Sequence, residues 1–252
     1  MKNNKIIKFS SAFIILPAVL FLSGYSLDQK GFFQIKQVRI NASTSESQRN
    51  FIAPKIENLK NKLSAFKGVS LWRFPLNQVA EILKQENWIQ DYRLSRSWPS
   101  SLEIEIEPQP IAFLVQTSEG KQASAFNPVS QSGEVLDRVD SKEAPDVIIS
   151  HDVILLKNKK IRDGAVAVLK SLPTQGRLHP SQVSEIGYDK KEGYWIRLLQ
   201  SEMKINLGED QFEIKSARVA QVIDYLENRD LKARVIDANL SKKVLVRLHQ
   251  AP

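Results

Sequence analysis

Apolar and polar residues alternate in several short runs along this chain of 252 residues, and runs with helical spacing separate them. The clearest alternation is at residues 102–107, LEIEIE, which predicts a strand with one buried and one solvated face. A Trp-Pro-Ser turn joins it to an earlier strand at residues 91–96. Symmetric pairing about this turn places Arg93 opposite Glu105, a cross-strand ion pair.

The pattern around this hairpin predicts a small α+β domain. Residues 32–42 alternate like a strand, and residues 43–66 and 77–88 carry apolar side chains at helical spacing. The order strand, helix, helix, strand, strand therefore predicts a compact domain at residues 32–107.

The rest of the chain, residues 108–250, predicts a mixed, mainly antiparallel β domain with two helices. One helix is expected at residues 162–172, and the other from an Asp210/Glu213 capping pair to about Asn228. Residues 153–156 form a short apolar run. The final strand is expected to have two different faces. The side chains of Val244, Val246 and Leu248 point to one face, and those of Leu245 and Arg247 point to the other.

An uncharged segment at residues 9–27 predicts a single transmembrane helix, because its length approaches the ~20 residues that cross a bilayer core. Three lysines in the tail at residues 1–8 favour a cytoplasmic amino end, with the bulk of the chain outside. A cleaved signal peptide is the alternative. Residues 23–26, SGYS, are a poor cleavage site, which favours the anchor.

Composition and charge narrow the function further. The formal net charge is +8, but no block of lysine and arginine indicates nucleic-acid binding. The chain has no cysteine, which excludes disulfides, thiol nucleophiles and cysteine-based zinc sites.

Candidate catalytic groups are few. Glu103, Glu105 and Glu107 are better explained as the solvated face of one strand than as acid–base carboxylates. The three histidines lie far apart in sequence, at His151, His179 and His249. The four tryptophans are assigned to packing rather than to a ligand platform: Trp72, Trp88, Trp98 and Trp195. The sequence predicts no enzyme, no cofactor and no metal site.

The order of these features resembles the FtsQ/DivIB family of bacterial division proteins. Residues 66–114 are similar to its membrane-proximal POTRA domain, through Gly68, the pair Trp88-Ile89, the run 96–99 (RSWP) and the run 107–112 (EPQPIA). Residues 133–136 (GEVL), 207–208 (LG), Lys215 and 235–237 (VID) are similar to its β domain.

This resemblance implies a non-enzymatic scaffold in the inner membrane at the division septum, with most of its mass in the periplasm. It implies binding to FtsB and FtsL, recruitment by upstream proteins such as FtsK through the POTRA domain, and indirect control of FtsW and FtsI in septal peptidoglycan synthesis. We expect the FtsB contact on the terminal edge strand, with the strand at 235–239 beside it: Val244, Leu245, Val246, Arg247 and Leu248. The alternative is a POTRA-bearing secretion or assembly accessory that binds polypeptide strands.

Overall fold

A computed structural model describes residues 22–117, 125–199, 201, 203–240 and 243–248. Its contacts divide the chain into two units. The first runs to Thr44 and resumes at Ala53–Pro108, and the second comprises Ser45–Ile52 and the chain from Gln109 onward. The predicted tail and most of the predicted span at residues 9–27 lie outside the described residues. The described part starts with a helical segment at residues 22–29. No helix in the described part is both long and apolar enough to cross a bilayer.

The first unit contains a three-stranded sheet. Its strands are β1 (Gln37–Ala42), β2 (Ile89–Ser97) and β3 (Ser101–Pro108), in the order β1-β3-β2. β3 pairs antiparallel with β2, and Arg93 lies opposite Glu105 with 3.2 Å between Nη1 and Oε2, which confirms the predicted register. Both side chains are exposed, so the pair contributes less than about 1 kcal/mol.

Two helices contribute to this unit. They are α1 (Arg49–Leu63), of which the part from Ala53 belongs to this unit, and α2 (Leu76–Lys84). The predicted order strand, helix, helix, strand, strand is therefore confirmed. Aliphatic and aromatic side chains from both helices, from the sheet and from the segments between these elements are buried: Ile35, Leu59, Leu63, Leu71, Phe74, Val79, Leu83, Trp88, Leu102, Ile104 and Ile106.

In the described residues, the second unit is built on a sheet of nine strands. In chain order these are β4 (Ile111–Thr117), β5 (Ala125–Ser130), β6 (Val139–Asp140), β7 (Ile149–Ser150), β8 (Val183–Asp189), β9 (Gly193–Leu198), β10 (Lys204–Gly208), β11 (Ala233–Asp237) and β12 (Leu245–Leu248). Their spatial order is β12-β11-β10-β9-β8-β7-β4-β5-β6. Five neighbouring pairs are antiparallel and three are parallel, so the mixed, mainly antiparallel sheet is confirmed.

Three α-helices accompany this sheet in the described residues, where the sequence predicted two. They are α3 (Ile154–Lys157), α4 (Lys159–Lys170) and α5 (Phe212–Glu227). The extra helix, α3, is a single turn formed by the apolar run at 153–156, whose four residues are too few for periodicity to identify a helix. Asn158 separates it from α4 and caps α4, because its Oδ1 accepts the N–H of Ile161.

A buried arginine joins α3, α4 and the turn at Gly133. Arg162 lies on the inner face of α4, where its Nε donates to the carbonyl of Gly133 at 2.7 Å. Its Nη1 donates to the carbonyls of Leu155 and Leu156, both at 3.1 Å. These carbonyls belong to the end of α3, so the guanidinium satisfies helix-end acceptors that α3 cannot satisfy internally.

Replacing this arginine removes donors from three carbonyl groups at once. We expect Arg162→Met to lower the melting temperature by roughly 5–10 °C, because buried acceptors without partners are costly. Lys160→Met on the exposed side of the same helix is the matched control and should change it by less than about 2 °C. Thermal unfolding followed by circular dichroism measures both, and equal melting temperatures for the two variants would contradict this role.

Candidate functional site

The terminal strand β12 lies at one end of the nine-stranded sheet. β10 leads into α5, and the chain returns as β11 parallel to β10. β12 then turns back antiparallel to β11, and no described strand pairs with its other side. The predicted edge position is therefore confirmed, while the partner contact stays a prediction.

The backbone of β12 has one paired and one open side. Leu245 lies opposite Asp237 and Arg247 opposite Val235, with an irregularity at the beginning of β11. In an antiparallel pair, alternate residues direct their N–H and C=O groups away from the neighbouring strand. β11 differs, because β10 and β12 pair with both of its sides. Neither side of the β11 backbone is therefore open to an incoming strand. β11 corresponds to the strand that was predicted to lie beside the FtsB contact.

One face of β12 packs on the core. Val246 continues a row of aliphatic side chains that lie opposite one another across five strands: Ile186, Ile196, Ile205, Ile236 and Val246. Val244 and Val246 are half-buried and pack against the hydrophobic core. The predicted inward face of the strand is thus confirmed for these two residues.

The other face of β12 continues a polar row across the same strands. Arg247 lies opposite Val235, which in turn lies opposite Lys204. Leu245 is 53% exposed and extends the neighbouring row that contains Asp237. Leu248 is also exposed at the end of the strand, although its alternation matches that of the valines. A partner strand that pairs with this edge would thus contact two leucines and an arginine.

A surface with a tryptophan, two cations and two carboxylates continues this outer face toward the middle of the sheet. The Trp195 ring lies 5.8 Å from the guanidinium of Arg197 and 5.3 Å from Nζ of Lys204. Glu185 binds Arg197 at 3.1 Å, and Glu192 binds Lys204 at 2.8 Å. Because both cations have carboxylate partners, the field of this surface is largely compensated.

A buried lysine holds the beginning of α5 next to the end of β10. Lys215 is only 2% exposed, and its Nζ donates to Oδ1 of Asp210 at 2.7 Å. A Cβ added at Gly208 would lie 3.0 Å from this Nζ and would collide with Asn239, so Gly208 leaves the space in which β10, α5 and the segment after β11 meet. Gly208 also has a φ of +75°, which favours glycine.

The predicted Asp210/Glu213 capping pair is wrong. Gln211 occupies the N-cap position with a left-handed φ of 51°, and no side chain caps the helix there. Asp210 binds the ammonium of Lys215 instead. The sequence spacing D-x-x-E did not reveal that Lys215 is buried and needs a carboxylate partner.

Most of the candidate chemical groups lie in the part of the chain that the structure describes. Glu105 and Glu107 are exposed on the outer face of β3, and Glu103 is half-buried beside them. His151 is exposed, and Nδ1 of His179 accepts the N–H of Ser181. His249 lies outside the described residues. Among those that are described, no group of three acidic, histidine or cysteine side chains could hold a metal ion.

Two tyrosines on the second unit have shifted acidities. Burial raises the pKa of the Tyr194 phenol to about 12, and its hydroxyl donates to the carbonyl of Ile161 at 2.9 Å. A hydrogen bond to Glu209 raises the pKa of Tyr188. Both shifts keep the phenols protonated, so neither tyrosine acts as a base near neutral pH.

Two family models match the chain. The model described as "POTRA domain, FtsQ-type" matches residues 33–108, and the model described as "Cell division protein FtsQ/DivIB, C-terminal" matches residues 120–239. The second match ends before β12.

Two curated relatives are named Cell division protein FtsQ. The protein from Myxococcus fulvus is 24% identical over 176 residues, which cover 68% of this chain and 60% of the relative. The protein from Syntrophotalea carbinolica is 21% identical over 237 residues, which cover 93% of this chain and 80% of the relative. The match thus spans less than two thirds of the Myxococcus protein.

The ion pair of Lys215 predicts unequal effects for the two acidic residues. Asp210→Ala leaves an ammonium buried without its carboxylate and should reduce the free energy of unfolding by about 1–3 kcal/mol. Glu213→Ala removes only an exposed carboxylate from the first turn of α5 and should cost about 0.5 kcal/mol or less. Urea unfolding of both variants measures the difference, and equal losses would contradict the role of Asp210 as the partner of Lys215.

Proposed function

Because the chain belongs to the FtsQ/DivIB family of cell division proteins, we propose that it acts as a non-enzymatic scaffold of the division machinery. The scaffold connects early division proteins to the FtsB–FtsL pair and thereby regulates septal peptidoglycan synthesis by FtsW and FtsI. The observation that carries this proposal is the open outer side of β12, which bears exposed leucines. A binding edge serves a scaffold, whereas the secretion alternative gains no support from the two FtsQ-type matches.

The proposal includes a single membrane anchor at residues 9–27. The segment is uncharged and follows three lysines, which favours an amino end in the cytoplasm and both folded units outside it. The inner membrane at the division septum is the location that follows for a scaffold of this family.

The docking edge is proposed at Val244–Leu248. An incoming strand would bond to the outward N–H and C=O groups of β12, and its alternate side chains would contact Leu245 and Arg247 or Leu248. This mode uses groups that an edge strand leaves open. The FtsB–FtsL pair is the proposed source of that strand.

Other sheet edges are less suited to accept a strand. The exposed positions of β1 are Gln37, Arg39 and Asn41, and those of β2 include Asp91 and Arg93. Charged and amide side chains at an edge disfavour pairing with a further strand. β6, at the opposite end of the large sheet, has only two residues. β12 therefore combines an open edge with apolar side chains.

Two proline substitutions separate docking from folding. Neighbouring residues direct their N–H groups to opposite sides of a strand, so one of Leu245→Pro and Val246→Pro removes an open donor and the other removes a donor bonded to β11. The variant that loses the open donor should weaken binding of the FtsB–FtsL pair by about tenfold or more without lowering the melting temperature. The variant that loses the donor bonded to β11 should lower both the affinity and the melting temperature. Titration of the full-length protein in detergent with the purified pair measures the affinity.

A charge substitution provides the matched side-chain comparison. Leu245→Asp should weaken binding, whereas Val153→Asp, at an exposed apolar residue next to α3, should not. If both proline variants fold and bind the FtsB–FtsL pair with the wild-type affinity, the docking strand lies elsewhere.

The first unit is proposed to receive upstream division proteins such as FtsK, because it directly follows the proposed anchor. Exchanging residues 32–107 for an unrelated domain of similar size should abolish localisation at mid-cell while binding to FtsB and FtsL is retained. A fluorescent fusion at the amino end and a parallel pull-down measure the two properties. Normal localisation of the exchanged protein would contradict this assignment.

A further inference from the structure

We propose that four aromatic residues of the first unit form an interfacial anchor that inserts into the outer surface of the phospholipid bilayer. We call them the aromatic patch: Phe32, Phe33, Trp72 and Trp98. This inference rests on the proposed membrane anchor at residues 9–27 and adds a second contact with the same membrane.

The aromatic patch is contiguous and exposed. The Phe33 ring contacts three others, with centroid distances of 5.2 Å to Phe32, 6.0 Å to Trp72 and 5.6 Å to Trp98. The two indole rings lie 5.8 Å apart. Trp72 is 61% exposed, Trp98 52% and Phe32 48%. A cluster of large apolar rings in water is unfavourable and marks an interaction surface.

Backbone hydrogen bonds hold the three segments of the patch together. The N–H of Leu71 donates to the carbonyl of Phe33 at 2.7 Å, which joins the segment of Trp72 to that of the phenylalanines. The N–H of Lys36 donates to the carbonyl of Ser100 at 2.8 Å, which joins the turn that carries Trp98. Two backbone hydrogen bonds thus connect the segments that carry the rings.

The aromatic patch lies directly beside the end of the proposed span. The N–H of Phe32 donates to the carbonyl of Leu27, the last residue of that span, at 3.0 Å. Asp28 accepts the hydroxyl of Ser70 and pairs with Arg73 at 3.6 Å, which fastens the end of the helical segment 22–29 next to Trp72. If Leu27 lies where the hydrocarbon core ends, Phe32 lies within the interfacial layer, which is roughly 5–8 Å thick on each side.

The chemistry of the surroundings fits a lipid headgroup region. Tryptophan and other amphipathic aromatic rings are enriched at membrane–water interfaces. Exposed lysines lie close to these rings in sequence, Lys30 and Lys36 on either side of the phenylalanines and Lys67 before Trp72, and can approach lipid phosphates. The carboxylate of Asp28 is mostly covered and compensated by Arg73. We therefore favour the bilayer as the occupant over a protein segment.

Tryptophan fluorescence in brominated lipid tests the inference on the full-length chain. The protein is reconstituted in vesicles of phosphatidylethanolamine and phosphatidylglycerol whose acyl chains carry bromine either near the headgroup or near the chain end. Residues 9–27 contain no tryptophan, so the span itself contributes no signal. We expect strong quenching by the shallow bromine and weak quenching by the deep bromine.

Matched variants assign the signal to the patch. The double variant Trp72→Phe/Trp98→Phe should lose most of the quenching. The double variant Trp88→Phe/Trp195→Phe should keep it, because Trp88 is buried and Trp195 belongs to the second unit. Adding Phe32→Asp to the latter should reduce the quenching while the indoles remain present.

The outcomes distinguish the patch from the span. Retention of the protein in vesicles after an alkaline carbonate wash, with no quenching of Trp72 and Trp98, would overturn the aromatic anchor alone. Release by the wash would overturn the proposed span and this inference with it. Equal quenching of both double variants would mean non-specific adsorption and would also overturn the inference.

Discussion

The second unit depends on a row of aliphatic side chains that runs in register across five neighbouring strands and ends at Val246. Side chains on a strand alternate with a period of two, so this row determines which residues face solvent on every strand it crosses. Displacing β12 by one residue would bury Arg247 against the core and expose Val246. The same hydrophobic row that anchors β12 therefore presents Leu245 and Arg247 outward.

The open edge is a consequence of how the chain crosses the sheet. α5 carries the chain back so that β11 can run parallel to β10 and pair with it directly. A parallel pair needs a crossover connection of this kind. Gly208 and the ion pair of Lys215 define the beginning of that crossover. Among the described strands, β12 then has one neighbour, which leaves its outward groups to water or to another polypeptide. One glycine and one buried lysine thus lie at the start of the crossover that places β11, and after it β12, at this end of the sheet.

Periodicity in the sequence predicted the elements and much of the pairing, because alternation and turn residues act locally. The register of Arg93 with Glu105 followed from a symmetric turn, and the inward direction of Val244 and Val246 followed from their spacing. Burial of charged residues was not predictable in the same way. Arg162 and Lys215 count as polar in any pattern, and only tertiary packing reveals that carbonyl groups or a carboxylate compensate them. The tryptophans show the opposite error: their strand or turn context indicated packing, but Trp72 and Trp98 are exposed.

The energetics of strand addition limit what β12 can do by itself. About five outward backbone groups, each worth about 0.5–1.5 kcal/mol on bonding, contribute on the order of 5 kcal/mol. Covering two half-exposed leucines adds about 1 kcal/mol each. Loss of translational and rotational freedom on association costs about 4–15 kcal/mol, which offsets most of this gain. A flexible peptide would therefore bind this edge weakly. A partner that presents its strand from an already folded scaffold loses less freedom on binding, and only such a partner can use so short an edge for stable association.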